Sequence, residues 1–434
     1  MTKEIVTSAV DPRVLIDSAR KALRLGVLDL GASMALAMII GFAQNLVLAR
    51  ILGAQGLGHM AIIYSVMNVA TLLGTAGLTS SILRYGAAAP EPASARAVYR
   101  KGTSLALACS VGAALVTAAF ARSPLWVFDP VAGRWMPLVA LILPALTLAA
   151  CSTHYLQSRD RMREKAVLEL GQRIFIVGGA VTGALVGGFP GCVLGYVLGA
   201  GTGGLAVFVR TWRQRIAAGP ASAPVPGREL LRFGSWGLVT NMLGLGQATA
   251  DIFCVSALVG DAASVGIYSL ASVLQQVVAI PMRAYLDARF PEMTRASADP
   301  GALRALWRRM RRHLAVVSLL GATAVALPAP FLLPRLFGAE FAASAAPLWL
   351  LLAGQVAWSW GAAAGRALFA AGRVEGNFYV AAVAAVGNIV LNLVLIPYLG
   401  ILGAAVATAT TQLGWALGVT IVCRWGEEDA GSTP

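Results

Sequence analysis

The segment Leu48-Ala-Arg-Ile-Leu-Gly-Ala-Gln-Gly-Leu-Gly58, followed by Tyr64, joins the end of one long apolar run to the start of the next. About 207 residues later, Val255-Ser-Ala-Leu-Val-Gly-Asp-Ala-Ala-Ser-Val-Gly266, followed by Tyr268, does the same. The chain therefore repeats its own plan. In membrane proteins, two equivalent halves that rock about a central site are typical of transporters.

The composition predicts a membrane protein. Of 434 residues, 58% are hydrophobic and 12% are charged, and the mean hydropathy is +0.73. A soluble domain would carry about a quarter charged residues, so this much apolar surface indicates that lipid surrounds the chain. The three histidines and five scattered cysteines show no metal-ligand or disulfide spacing. We therefore expect buried structural thiols and neither a metal nor another cofactor.

Twelve apolar runs are long enough to cross a bilayer as helices, which takes about 20 residues each. They are residues 29–51, 57–84, 102–121, 135–157, 166–188, 191–210, 233–258, 262–289, 313–334, 342–369, 377–397 and 400–423. The sequence therefore predicts an all-α membrane protein of twelve spans, numbered here one to twelve.

Lysine and arginine residues concentrate on one side of this topology. When the loops are assigned alternately, 28 of the 34 lie on the side of both termini and four on the other, with Arg173 and Arg283 inside spans. This bias predicts a multi-pass membrane protein with both termini in the cytoplasm. Topology and anionic lipid account for the net charge of +14, so we expect membrane lipids, and no nucleic acid, as partners.

The longest cytoplasmic interruption divides the spans six and six. Residues 211–232 contain a Pro-rich run and are predicted to link an N-terminal bundle, 29–210, to a C-terminal bundle, 233–424. Because six is even, both bundles insert the same way up, which predicts a pseudo-two-fold axis along the membrane normal. We expect residues 1–28 to form a cytoplasmic interfacial segment and 425–434 a cytoplasmic tail.

Polar side chains recur at matched positions of the two halves. Spans one and seven align at an offset of 207, and spans two and eight at 208. Because polar groups are costly in lipid, we infer that these four spans line a shared central cavity. The alternative is that small polar residues hold helices together. The candidate cavity residues are Gln44, Asn45, Tyr64, Asn68, Thr75, Gln247, Gln276, Arg283, Asp287 and Arg173.

Asp251 is the candidate for ion coupling. It lies about 10 Å inside the outer end of span seven, with no basic residue within a turn on that helix. Two interpretations stay open. The carboxylate takes up a proton or a cation during transport, or it makes a structural hydrogen bond or ion pair, for instance with Arg50 near the outer end of span one.

The two intramembrane arginines have similar alternatives. Arg283 is followed one turn later by Asp287, and Arg173 is preceded one turn earlier by Glu169. Each pair predicts a local ion pair. Alternatively, each guanidinium contacts a phosphate that enters from the cytoplasm.

Both His59 and His154 end or begin a span and are expected to be interfacial.

Several stretches resemble the polysaccharide-exporter branch of the multidrug/oligosaccharidyl-lipid/polysaccharide flippase superfamily. Their order and spacing cover nearly the whole chain. They are Ala49–Gly58 with Tyr64 and Gly77–Arg84 in the first two spans, Asp251 with Val265–Ser269 in spans seven and eight, Phe290-Pro291 at the end of span eight, and Asn388–Ala405 in spans eleven and twelve.

The resemblance implies a multidrug-exporter-like fold and an alternating-access flippase. Its substrate would be an undecaprenyl-pyrophosphate-linked oligosaccharide, moved to the periplasmic leaflet for O-antigen, lipopolysaccharide or exopolysaccharide assembly. Expected partners are that substrate, a polysaccharide polymerase and chain-length proteins. Two features depart from relatives. Gln44-Asn45 stands where related lipid II flippases carry an Arg-Asp pair, which argues against a peptidoglycan precursor. Many sugar exporters have a strongly cationic lumen, whereas this chain has only two arginines well inside its spans, Arg283 and Arg173.

Three other functions are compatible with a polytopic chain. They are a cation-coupled multidrug exporter of the same fold, a membrane-embedded glycosyltransferase or polymerase, and a scaffold without transport. The short outer loops disfavour the enzyme, so we expect a transporter. With no Walker motif in the sequence, energy would come from an ion gradient or the membrane potential.

Overall fold

The computed structural model describes residues 27–89, 91–214 and 225–431, and within these ranges the side chains of 27–35, 37, 240, 243–248, 291, 300, 374 and 424–431 are not described. All regular secondary structure of the described residues is helical. The helices are α1 (Val27–Thr75), α2 (Leu78–Ala88), α3 (Pro92–Arg122), α4 (Pro130–Ala140), α5 (Leu143–Ser158), α6 (Met162–Trp212), α7 (Gly227–Val259), α8 (Ala262–Ala296), α9 (Pro300–Ala326), α10 (Ala329–Leu336), a 3₁₀ helix (Ala339–Ser344), α11 (Ala345–Ala370), α12 (Val374–Leu399) and α13 (Ile401–Gly431).

Helix α6 is a hairpin of two antiparallel rods. Its 51 residues would extend about 77 Å as one straight helix, more than twice the thickness of a hydrocarbon core. The backbone leaves the helical region at Gly187 and Gly188. The rods then pack so closely that a Cβ on Gly183 would lie 2.0 Å from the carbonyl oxygen of Gly191.

Helix α1 breaks in the same way at Gly53, where φ is +68°. The matching turn of the second half, between α7 and α8, uses Gly260 at φ +70°. An L side chain at such a φ is strained, so glycine is what lets both hairpins turn within one or two residues. We call the end of the bundle that carries these turns the turn end, and the opposite end, where α6 ends and α7 begins, the linker end.

Seven helices of the described part are long and apolar enough to cross a membrane, or nine when the bent pairs α4–α5 and α9–α10 each count as one span. The twelve predicted runs fall almost entirely on helices. Helix α6 holds two runs, α1 holds the first run and most of the second, and the runs 135–157 and 313–334 each cross the bend of a helix pair. The chain is a multi-pass helical membrane protein, whereas twelve crossings, their orientation and the domain boundaries stay predictions.

The two halves meet at the turn end in a reciprocal crossing of α1 and α8. A Cβ on Gly58 would lie 1.7 Å from the carbonyl oxygen of Ala262, and one on Gly266 would lie 1.9 Å from that of Ala54. Gly58 and Gly266 are 208 residues apart, and so are Ala54 and Ala262, as the repeat predicts. One continuous apolar core, which includes Leu48 of the first half, surrounds this crossing.

A second contact joins the halves near the linker end. A Cβ on Gly77 would lie 1.9 Å from the carbonyl oxygen of Gly234, which brings α2 and α7 into backbone contact. The hydroxyl of Ser81 donates a hydrogen bond of 2.6 Å to the carbonyl of Leu230. Large exposed apolar side chains, including Val186 at 91% exposure, cover the perimeter that faces lipid.

Candidate functional site

Asp251 is buried among neutral hydrogen-bond donors. Its carboxylate accepts hydrogen bonds from the hydroxyl of Tyr268 at 2.6 Å, the hydroxyl of Thr408 at 2.5 Å and the amide of Asn392 at 2.8 Å. The α7–α8 hairpin supplies the aspartate and the tyrosine, while α12 and α13 supply the other two. The carboxylate is thus held by four helices of one half.

The surroundings of Asp251 leave one acceptor unused. The Oδ1 atom of Asn392 is buried and has no hydrogen-bond partner among the described residues. Its amide nitrogen is shared between Asp251 and Asn388 Oδ1, at 2.8 and 3.1 Å. A buried carboxylate beside an orphaned amide oxygen forms an oxygen-rich site that a proton or a small cation would stabilise.

Asp251 lies at the deep end of a cavity of about 350 Å³ inside the second half. On α8 the cavity wall runs from Tyr268 to Arg283, fifteen residues or about 22 Å along the helix axis. The other walls are α11, α12 and α13. The cavity is polar because six amide side chains of the described residues line it: Gln275, Gln276, Gln355, Asn377, Asn388 and Gln412. We call this cavity the C-half slot.

Arg283 lines the slot at the end remote from Asp251. Its guanidinium carbon lies 5.6 Å from the ring centroid of Trp358. The predicted contact between Arg283 and Asp287 is not formed. The carboxylate of Asp287 contacts Arg366 of α11 instead. Arg283 and Asp287 are both exposed, but Arg283 lines the slot and Asp287 is not among the residues that line it.

The first half contains an uncharged counterpart of the Asp251 pair. The amide of Gln44 donates a hydrogen bond of 2.9 Å to the hydroxyl of Tyr64, and Gln44 is buried. The ring of Tyr64 packs edge-on against Tyr196 at 5.0 Å. Arg173 is close by, since a Cβ on Gly41 would lie 2.7 Å from its Nη2. These residues form a separate cluster within the first half.

The remaining cavity candidates are dispersed. The amide of Asn45 donates to the carbonyl of Gly41 at 2.8 Å, and the hydroxyl of buried Thr75 donates to that of Leu72 at 2.8 Å. Asn68 is exposed. The side chain of Gln247 lies outside the described residues. A cavity shared by both halves thus stays a prediction, whereas the C-half slot has its described lining in the second half alone.

Two other predicted pairings are corrected by the structure. Arg50 does not pair with Asp251, because its guanidinium donates to the backbone carbonyls of Arg335 and Leu336. Those carbonyls end α10, where cations are favoured by the helix dipole. The predicted pair of Arg173 and Glu169 is not formed either, because the carboxylate of Glu169 contacts Lys165 at 3.5 Å.

The turn end is closed by a polar clasp between the halves. The Arg50 contacts join α1 to α10, and the carboxylate of Glu340 accepts a hydrogen bond of 2.7 Å from the backbone N–H of Ala54. Glu340 lies in the first turn of the 3₁₀ helix of the second half, and Ala54 follows the Gly53 turn of the first.

His59 is buried, and its Nδ1 lies 2.9 Å from Asp129 Oδ2, while its position at the membrane interface stays a prediction. Asp129 also caps α4 by accepting a 2.6 Å hydrogen bond from the N–H of Ala132. Burial alone would raise the pKa of Asp129, but His59 and the backbone donors outweigh it and hold the pKa below its usual value. His154 is half-buried, 2.8 Å from the carbonyl of Ala150.

Sequence reasoning missed Asn392, Asn388 and Thr408 as partners of Asp251. The first two lie four residues apart on α12, which is otherwise strongly apolar. Two amides on one face of such a helix are the signal that could have identified them. Trp358 and Trp415 stack in the slot wall with their ring centroids 5.8 Å apart. The sequence analysis did not predict them as lining residues, because they belong to no stripe of polar side chains.

Residues 24–297 match the model of a family described as "Polysaccharide biosynthesis protein". No curated protein sequence matches the chain significantly. A structure described as "Lipid II flippase MurJ, inward closed conformation" has a TM-score of 0.71 at 12% identity, covering 92% of this chain and 87% of the other. The structural likeness confirms the predicted all-α, multidrug-exporter-like fold.

Two structures of a multidrug resistance MATE family transporter of the MOP superfamily are also similar. The inward-facing one has a TM-score of 0.74 at 13% identity, covering 92% of this chain and 96% of the other. The outward-facing one has a TM-score of 0.63 at 15% identity, covering 94% and 97%. The present arrangement is thus more similar to the inward-facing structure than to the outward-facing one.

Proposed function

Since the chain belongs to the family of polysaccharide biosynthesis proteins, we propose that it is a flippase for an undecaprenyl-pyrophosphate-linked oligosaccharide. It moves this lipid from the cytoplasmic to the periplasmic leaflet of the bacterial inner membrane by alternating access. The product feeds surface polysaccharide assembly, such as O-antigen, lipopolysaccharide or exopolysaccharide. The linker end and both termini are cytoplasmic in this proposal, as the distribution of Lys and Arg favours.

One observation carries the proposal. Asp251 and Arg283 lie at opposite ends of the same polar cavity within a transporter-like helical bundle. An ionisable group inside a membrane protein is costly and faces a pathway or a binding site. Here an acid and a base share one cavity, so an ion and an anionic substrate can influence each other through the helices between them.

Arg283 is the proposed contact for the pyrophosphate. It faces the slot nearer the linker end, where a substrate from the cytoplasmic leaflet would enter, and its guanidinium can bind phosphate oxygens in pairs. Arg173 is a second candidate, in the cluster around Tyr64. The polyprenyl tail stays in lipid, so only the headgroup needs a polar path. Gln44-Asn45 adds no charge to that path, which favours a glycan over a peptidoglycan precursor.

Asp251 is the proposed site of energy coupling. Its hydrogen-bond donors among the described residues are all neutral, and Asn392 offers a spare oxygen beside it. Uptake of a proton or a monovalent cation would neutralise the buried charge. Each elementary charge that crosses 100 mV supplies about 2.3 kcal/mol, enough to bias the exchange between two conformations.

The protein would act without chemistry of its own, alongside a polysaccharide polymerase and chain-length proteins that use the flipped lipid. A catalytic role is disfavoured because Asp251 is buried beneath several helices rather than presented on a large extramembrane loop.

A cation-coupled multidrug exporter is the second candidate function. The TM-score of 0.74 with the multidrug transporter favours it as much as the 0.71 with the lipid II flippase favours a lipid substrate. A non-transporting scaffold is disfavoured, since it would not require a cavity of about 350 Å³ with charged residues in its wall.

Complementation of a deletion strain separates these functions. The wild-type gene should restore surface glycan and relieve the accumulation of lipid-linked precursor in the cytoplasmic leaflet. Resistance to a panel of cationic drugs should not change. Restored drug resistance without any effect on glycan would overturn the flippase proposal in favour of drug export, and an absence of both effects would leave the scaffold.

A further inference from the structure

The C-half slot is unusually rich in amides for a cavity within a membrane bundle. Spans eight, ten, eleven and twelve carry seven Asn and Gln residues, whereas the matching spans two, four, five and six of the first half carry three, Asn68, Gln157 and Gln172. Six of the seven line the slot. Amide groups are expensive inside a membrane unless they have a partner, so a duplicated scaffold that gained them in one half has a use for them there.

One of these amides lacks its partner. The Oδ1 atom of Asn377 is buried and accepts no hydrogen bond from the described residues, although Asn377 lines the slot. Gln355, which is 3% exposed, has its nitrogen bound to Ser359 at 3.2 Å. A buried acceptor without a donor costs free energy, and a ligand that brings hydroxyl donors would satisfy it.

The slot also presents an aromatic wall. Trp358 and Trp415 are stacked with an angle of 15° between their planes, and both border the cavity. The weakly positive C–H bonds of a sugar ring pack well against the negative face of an indole. Stacked indoles beside a row of amides therefore match a molecule that has one apolar face and an edge of hydroxyl groups.

Charge argues against the other ligands that aromatic pockets bind. Arg283 already lies over the ring of Trp358 at 5.6 Å, so a cationic drug at this wall would meet a like charge. Asp251, at the far end, is engaged by Tyr268 and Thr408. A volume of about 350 Å³ is at the lower end of small-molecule sites, of roughly 300–1,000 Å³, which suits a single sugar residue rather than a whole glycan.

We propose that the C-half slot is a saccharide-binding subsite that holds one sugar residue of the translocated glycan within the second half. The ring lies against Trp415, and its hydroxyls bind Asn377 and Gln355. The inference rests on the proposed flippase function. It gives the second half the recognition of the sugar, in the same cavity that contains the coupling candidate Asp251.

Binding of free sugars to the purified full-length protein tests the proposal. The probes are D-galactose, L-rhamnose, N-acetyl-D-glucosamine and D-glucuronic acid, followed by titration calorimetry and tryptophan fluorescence. At least one sugar should bind saturably. Asn377→Ala, which keeps both indoles, and Trp415→Leu should each weaken that binding about tenfold or more. Trp349→Leu, at a tryptophan that is 49% exposed and bound to the carbonyl of Ala326, is the matched control.

The proposal is overturned if no sugar of the panel binds saturably, or if folded Asn377→Ala binds as tightly as the wild type. The complementation assay keeps this outcome apart from the flippase proposal. Restored surface glycan with no sugar binding removes the subsite alone. Sugar binding that Asn377→Ala abolishes, in a protein that does not restore glycan, supports the subsite and removes the flippase function.

Discussion

The hydroxyl of Tyr268 donates a hydrogen bond of 2.6 Å to the buried carboxylate of Asp251. In the other half the hydroxyl of Tyr64 accepts one of 2.9 Å from the amide of Gln44. The partners are 17 residues apart in one hairpin and 20 in the other. Both hairpins therefore place a tyrosine hydroxyl against a polar side chain of the preceding helical segment, at spacings that differ by three residues. Only the pair of the second half can change its charge.

Asp251→Asn should abolish coupling while leaving the fold intact, because the amide retains a similar shape and one acceptor for Tyr268. If one charge is coupled at 100 mV, about 2.3 kcal/mol is lost, and the gradient-driven distribution of lipid-linked glycan between leaflets should fall about 50-fold. The measurement is surface glycan and leaflet distribution with and without an ionophore.

Asp287→Asn is the matched control, since this carboxylate is exposed and contacts Arg366 outside the slot. It should leave coupling unchanged. Asp251→Asn with normal, ionophore-sensitive export would remove Asp251 from the coupling mechanism.

Arg283→Gln should weaken recognition of the pyrophosphate. A lost charge-assisted contact is worth about 1.5–3 kcal/mol, so the apparent affinity for the lipid-linked substrate should fall about tenfold or more. Transport in proteoliposomes at a series of substrate concentrations measures this.

Arg289→Gln controls for the loss of one positive charge on the same helix, because Arg289 is exposed and bound to Glu292 at 2.6 Å. Equal substrate affinities for the two variants would show that Arg283 does not contact the phosphates.

The sequence was sufficient to predict the helical membrane fold and the repeat, because both depend on local quantities such as apolar run length and spacing. The reciprocal crossing at Gly58 and Gly266 has the 208-residue separation that the repeat predicts. Asp251 was identified for the same reason, as a lone carboxylate in an apolar span is visible without a structure.

The partners of these residues could not be predicted, since tertiary packing decides them. Asp287 had Arg283 one turn away on its own helix, yet α11 brings Arg366 closer. Asp251 binds Asn392 and Thr408 across more than 140 residues of sequence. The slot follows from how α8, α11, α12 and α13 pack, and no period within one helix encodes that arrangement.

Gly58→Ala should destabilise the closed turn end, because the new Cβ would lie 1.7 Å from the carbonyl oxygen of Ala262 and neither backbone can yield without separating the halves. Overpacking of this kind costs about 1–3 kcal/mol. The thermal midpoint in detergent should fall.

Gly178→Ala is the matched control, since a Cβ there meets nothing within 4 Å, and alanine is the better helix former. The same thermal midpoint for both variants would mean that the α1–α8 crossing is not tightly packed in solution.

Glu340→Ala should shift the protein toward an open turn end without unfolding it. The substitution removes the acceptor that binds the N–H of Ala54 at 2.7 Å, a hydrogen bond between the halves rather than within one. Because Glu340 is exposed, we assign it about 1 kcal/mol, which corresponds to a roughly fivefold smaller ratio of closed to open protein. Spin labels on the exposed positions Gln55 and Ala342, in a background without the five cysteines, report the separation as a distance distribution.

Glu375→Ala serves as the control, since it removes an equally exposed carboxylate from the first turn of α12, remote from the clasp. A longer-distance population should grow in Glu340→Ala and not in Glu375→Ala. Because transport needs both conformations, Glu340→Ala should also change the export rate, whereas a helix-stabilising contact alone would change only the thermal midpoint. Identical distance distributions in the two variants would mean that the Gly58–Gly266 crossing, rather than the polar clasp, holds the turn end shut.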